Sequence, residues 1–236
     1  MHRFPKLKLF LLVGGIAAWD AEVQAAPITS DWTPGTADNW DAGAADVFNW
    51  SHSSAPATTS FPNNVGGDNF SVNISDGAAS NVNLNTSVTI DALDVDATNT
   101  LSIQNGRALT IAPVGGIAND GTISVNASGA STGLHFQNSA TISGNGTIDL
   151  SDDGGNFVTA GSSSATLTNA AGHTIRGSGA ILNNIGGFAN AGSVVADNAA
   201  PLTLDPGAID FTNTGTLRAE SGGTLIFNAG NYVNTG

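Results

Sequence analysis

A seven-residue pattern recurs through the second half of the chain: an apolar or aromatic residue, any residue, Asn, any residue, Gly or Ala, Thr or Ser, then Ile, Val or Leu. It reads Ile117-Ala-Asn119-Asp-Gly121-Thr122-Ile123, then Phe136-Gln-Asn138-Ser-Ala140-Thr141-Ile142. Two further copies are Phe188-Ala-Asn190-Ala-Gly192-Ser193-Val194 and Phe211-Thr-Asn213-Thr-Gly215-Thr216-Leu217. A looser copy starts at Leu167-Thr-Asn169 and reaches Gly172 and Ile175, and Tyr232-Val-Asn234-Thr-Gly236 stands at the chain end. The asparagines Asn119, Asn138, Asn169, Asn190, Asn213 and Asn234 are separated by steps of 19, 31, 21, 23 and 21 residues. A repeat near this length cannot bury its apolar face alone and must stack on its neighbours. The 31-residue step predicts a loop inserted between Ser139 and Leu167, with the turn-rich run Ser151-Asp-Asp-Gly-Gly-Asn156 as its place.

The motif carries its own physics. Asn and Gly tolerate the left-handed backbone of a sharp corner, and Thr-Ile restarts a strand with β-branched side chains. Stacked corners set equivalent asparagines above one another, where their amides hydrogen-bond along the stack. Asn-Gly pairs also mark hairpins in antiparallel sandwiches; the recurring aromatic and Thr-Ile around each asparagine favour stacked coils instead. Upstream, Phe70-Ser-Val72-Asn-Ile74, Val82-Asn-Leu84, Val88-Thr-Ile90, Leu93-Asp-Val95, Leu101-Ser-Ile103 and Leu109-Thr-Ile111 alternate one apolar with one small polar residue. That is the mark of half-buried strands. The expected fold is therefore all-β, a right-handed parallel β-helix of about eight coils over residues 70–236, roughly 40 Å long. Such a stack needs covered ends. Residues 26–69, with Trp32, Trp40, Trp50 and Phe61 among Pro and Asp, are the expected irregular N-terminal cap. Gly236 stops inside a repeat, so the chain is expected to be a fragment of a longer protein.

Residues 1–25 read as a secretory signal peptide: Arg3, Lys6 and Lys8, an apolar run from Leu9 to Trp19, and the small-residue exit Val23-Gln24-Ala25. The run has eleven residues, against the roughly 20 that a membrane-spanning helix needs. Past this segment the cations are Arg107, Arg176 and Arg218, in a chain of formal net charge −13. So few cations leave little with which to neutralise phosphates, which argues against nucleic acid and anionic membrane surfaces as partners. The absence of cysteine excludes disulfides, thiolate metal sites and a cysteine nucleophile.

The signal segment, the run Val88-Thr-Ile90-Asp-Ala-Leu93-Asp-Val95 and the repeated Asn-x-Gly-Thr-Ile together resemble the β-helical passenger regions of bacterial autotransporters and filamentous-haemagglutinin-type adhesins. The resemblance covers about residues 70–236. It implies a cell-surface or secreted structural or adhesive element, with host or environmental surface glycans or proteins as partners, and a C-terminal barrel or anchor that this chain does not contain. Fold resemblance alone fixes no function.

Other chemistries are weighed against it. A polysaccharide-degrading β-helix needs carboxylates across a scissile bond. Asp152-Asp153, Gly172-His173 and Ile175-Arg176 loosely resemble a polygalacturonase set, without its Asn-Thr-Asp or a Gly after the histidine. A lyase would use Asp94 and Asp96 with Arg107. The turns Gly66-Gly67-Asp68-Asn69 and Ser151–Asn156 have calcium-type ligands but lack the nonapeptide of calcium-binding rolls. Trp32, Trp40 and Trp50 are candidate glycan-stacking residues if exposed, and cap residues if buried. A passive spacer that presents another domain is the remaining alternative. No catalytic residue, cofactor or metal is assigned.

Overall fold

The computed structural model describes residues 26–33, 38–41, 49–56, 60–113, 115–228 and 230–236; the expected signal segment, residues 1–25, lies outside them. Every regular element among the described residues is a β-strand of five residues or fewer. Period-two patterning sets their faces: Phe70–Ile74 buries Phe70, Val72 and Ile74 and turns Ser71 and Asn73 outward. The strands form sheets of ten, eight and seven strands, here called A, B and C. The chain visits A, B and C in order and returns to A. Phe70–Ile74 lies in A, Asn81–Leu84 in B and Val88–Ile90 in C. Ala92–Val95 then pairs in parallel with Phe70–Ile74, Leu93 opposite Val72 and Val95 opposite Ile74. This is a parallel β-solenoid, with seven complete turns between Phe70 and Phe227 and an eighth opened by Tyr232–Asn234.

The core is a set of columns along the stack. In sheet B, Leu101, Ile123, Ile148, Ile175 and Val194 lie directly over one another and are all buried. Each such side chain contributes about 1.5–3 kcal/mol by leaving water. In sheet A the Phe188 and Phe211 rings stack at 5.1 Å. All six upstream strands read from sequence are present where the alternation places them.

The N-terminal cap contains short strands of its own. Ile28–Trp32 pairs in parallel with Phe70–Ile74, and Asp38–Asn39 with Asn81–Leu84, so stacking begins at Ile28 rather than at residue 70. Trp50–His52 then runs antiparallel along Ile28–Trp32 and covers that edge of sheet A. At the other end burial fades through Thr216–Ala219, Leu225–Phe227 and Tyr232–Asn234, and Phe227 is 51% exposed.

Three features of the repeat need correction. Asn119, Asn169, Asn190, Asn213 and Asn234 all end sheet A strands before the A–B corner, but Asn138 follows the sheet C strand Thr132–Phe136 and is exposed at the C–A corner. In that turn Ile142 lies opposite both Ile117 and Asn169, so its sheet A strand carries no asparagine at the repeat position. The 31-residue step is thus a register error, and Ser151–Gly155 is an ordinary B–C corner between Thr147–Leu150 and Asn156–Ala160. Nor do the asparagines use left-handed backbone: the positive-φ residues include none of them and neither Gly121, Gly192 nor Gly215, although Gly172 of the looser copy has φ 92°. Gly121, Gly192 and Gly215 serve close approach, since a Cβ on Gly192 would lie 2.2 Å from the His173 carbonyl oxygen of the rung beneath.

Candidate functional site

Inside the A–B corner the asparagines form a ladder. Asn169 Nδ2 donates to Asn190 Oδ1 at 2.8 Å, Asn190 Nδ2 to Asn213 Oδ1 at 2.7 Å, and Asn213 Nδ2 to Asn234 Oδ1 at 2.7 Å. Upstream it continues through His173, which takes the place of the missing asparagine. His173 Nδ1 donates to Asn169 Oδ1 at 2.7 Å, and Nε2 accepts from Asn119 Nδ2 at 3.1 Å. Both bonds are made by the neutral ring with its proton on Nδ1. The imidazole is fully buried, and that burial pushes its pKa down to about 4. These groups hold successive rungs in register, and from Asn119 to Asn213 they are buried; only Asn234, in the last strand, is exposed.

Nor do the tryptophans offer a stacking surface. Trp32, Trp40 and Trp50 are 2%, 0% and 3% exposed. Trp50 lies 5.0 Å from Trp32 edge-on and 4.6 Å from Trp40. Trp40 Nε1 donates to the Pro62 carbonyl and Trp50 Nε1 to that of Trp40, at 3.0 and 2.9 Å. Rings packed against each other in this way plug the end of the core and leave no face for a sugar.

The hydrolase candidates are scattered. His173 is in the core, while Arg176 points outward between Asp197 at 2.5 Å and Asp149 at 3.5 Å. Asp152 Oδ1 accepts from the Ala200 amide at 2.7 Å. Asp153 accepts from the Gly155 and Gly129 amides at 2.7 and 2.9 Å, and these two bonds hold its carboxyl below the usual range. Asp94 lies on sheet A and Asp96 at the A–B corner, whereas Arg107 stands at the B–C corner with sheet B between. Among the described residues no group of three or more His, Asp or Glu side chains is placed to hold a metal ion.

The side chains that do converge lie on the outer face of sheet C, around an open groove of about 510 Å³. Phe157 projects into it from Asn156–Ala160, between the inward-facing Asn156 and Val158. Its neighbours across the rungs are Gly133 and Ala180. A Cβ on Gly133 would lie 3.0 Å from Phe157 Cγ, so the ring packs down onto that glycine. A parallel column runs beside it, in which Thr110, His135 and Thr159 align. A Cβ on Gly161 would come within 2.9 Å of His135 Nε2, so the imidazole leans over that glycine. Asn183 closes the C–A side, held between Leu182 at φ 67° and Asn184 at φ 56°. Among the described residues no Asp, Glu, Lys or Arg lines the groove. The alternation of Asn156-Phe-Val158 carries the signal for Phe157, an aromatic on the outward phase of a strand, but it is legible only once the inward phase is fixed by register. Comparison with protein families, with curated proteins and with solved structures finds no match to this chain.

Proposed function

We propose that this chain is an exported structural or adhesive β-solenoid, part of a cell-surface or secreted protein, that attaches to surface glycans or proteins and turns nothing over. The observation that carries the reading is the outer surface of the solenoid: long parallel faces on which most outward residues are small and polar, with a groove on sheet C that holds an aromatic side chain. Such a surface suits contact with an extended partner. The layout of residues 1–25 and the likeness to autotransporter and haemagglutinin-type repeats support the exported, surface-displayed part of the reading.

The test uses beads coated with the full chain and offered surfaces carrying immobilised glycans or extracellular matrix proteins. Saturable attachment above bare beads is expected, with no release of reducing ends or unsaturated products. Attachment to none of them, with the fold intact by circular dichroism, would leave a passive spacer. Product release lost in Asp153→Ala would make it an enzyme.

A further inference from the structure

We infer that the groove on the outer face of sheet C is a binding site for a neutral oligosaccharide, with Phe157 as its stacking platform; the inference rests on the adhesive reading and names its ligand class. A pyranose has an apolar C–H face and a rim of hydroxyls. The groove has the matching arrangement: an aromatic ring between Gly133 and Ala180, two residues too small to cover it, with the Thr110 and Thr159 hydroxyls and the His135 imidazole along one side. Asn183 adds an amide at the C–A edge. It is held there by a buried leucine in the left-handed region, a conformation that branched side chains keep only where their surroundings impose it.

Charge selects among sugars. The described lining has no Asp, Glu, Lys or Arg, and at the B–C rim the Asp153 carboxylate uses its two oxygens on the Gly129 and Gly155 amides. A chain of net charge −13 repels polyanions, so uronate polymers are disfavoured. Length fits as well: the groove crosses four rungs, from Ala108–Ile111 to Gly179–Leu182, about 14 Å at the usual strand spacing. A peptide is a poorer occupant. The strands beneath the groove are paired on both sides, so the site is the face of a sheet and has no free edge to which a strand could add.

The experiment is a calorimetric and NMR titration of the full chain with short oligosaccharides of glucose, mannose and galactose, and with oligogalacturonate as the anionic counterpart. At least one neutral oligosaccharide should bind saturably and shift the Phe157 and His135 ring signals. Phe157→Ala should weaken it by roughly tenfold or more, and Phe157→Tyr should keep it. Ala180→Arg, which fills the groove and leaves Phe157 in place, should also abolish binding. The proposal is overturned if no neutral oligosaccharide binds, if oligogalacturonate binds as tightly, or if binding survives both Phe157→Ala and Ala180→Arg. Coated beads separate the two readings. Attachment to protein surfaces without sugar binding would sink the groove and keep the adhesin, whereas sugar binding without attachment to any surface would do the reverse.

Discussion

His173 is a buried residue that couples the stability of the fold to acid. In the unfolded chain its imidazole takes up a proton near pH 6.5; folded, burial delays this to about pH 4. Between these values the unfolded chain binds more protons, so the contribution is fully present above pH 6.5 and is lost as the pH falls towards 4. A shift of this size corresponds to on the order of 3 kcal/mol. The added proton would sit on Nε2 and face the Asn119 Nδ2 donor, and Asn119 Oδ1 is itself buried without a hydrogen-bond partner among the described residues. Urea midpoints between pH 7 and 4.5 should therefore fall more steeply for the native chain than for His173→Gln, which keeps a polar bridge and cannot titrate. Equal slopes would show that His173 plays no part. The histidine also marks where the sequence misled: Asn138 has the right letters around it, yet the ladder is continued by an imidazole in the next turn, and a motif written in asparagine cannot find it.

Corners are the elements that set rung spacing. Their glycines were expected to supply left-handed backbone, and at the A–B corner Gly144 and Gly172 do so, but Gly121, Gly192 and Gly215 supply the absence of a side chain. A Cβ on Gly121 would stand 2.3 Å from the Asp96 carbonyl oxygen, and one on Gly215 would stand 2.1 Å from that of Gly192. Turn chemistry is legible in sequence because it is local; which of three corners a turn serves depends on pairing across about 20 residues, and that is not. Gly192→Ala should accordingly force two rungs apart and cost more than about 2 kcal/mol, as overpacking does. Gly154→Ala is the contrast: at the B–C corner, with no positive φ, a Cβ there meets nothing within 4 Å. Its backbone stiffening should leave stability unchanged or raise it by up to about 1 kcal/mol. Thermal midpoints of the two variants check this, and similar losses in both would remove the close-approach account.

For the molecule as a whole, all-β stacking was legible because apolar alternation reports the inward face directly, as the strands from Phe70–Ile74 to Ala108–Ile111 show. The groove was not, since Phe157 becomes an outward residue only when Gly133 and Ala180 are set beside it by register. Rungs touch only their neighbours, so stability should vary along the stack. The central rungs around Ile123, Ile148 and Ile175 are buried and paired on both sides, while Thr216–Ala219, Leu225–Phe227 and Tyr232–Asn234 are largely exposed. Hydrogen exchange should be slowest at the centre and fastest in those last strands, with the tryptophan plug holding Ile28–Trp32 and Phe70–Ile74 at intermediate values. Trp40→Ala removes a fully buried ring at one end, a loss of about 3–5 kcal/mol. If the rungs are coupled only to neighbours, that loss should appear as faster exchange from Ile28 to about Ile90 and leave Thr174–Gly177 and Ser193–Ala196 unchanged. Uniform acceleration along the whole chain would instead mean that the solenoid unfolds as one cooperative unit, in which a defect at the plug is felt by the far rungs as strongly as by the near ones.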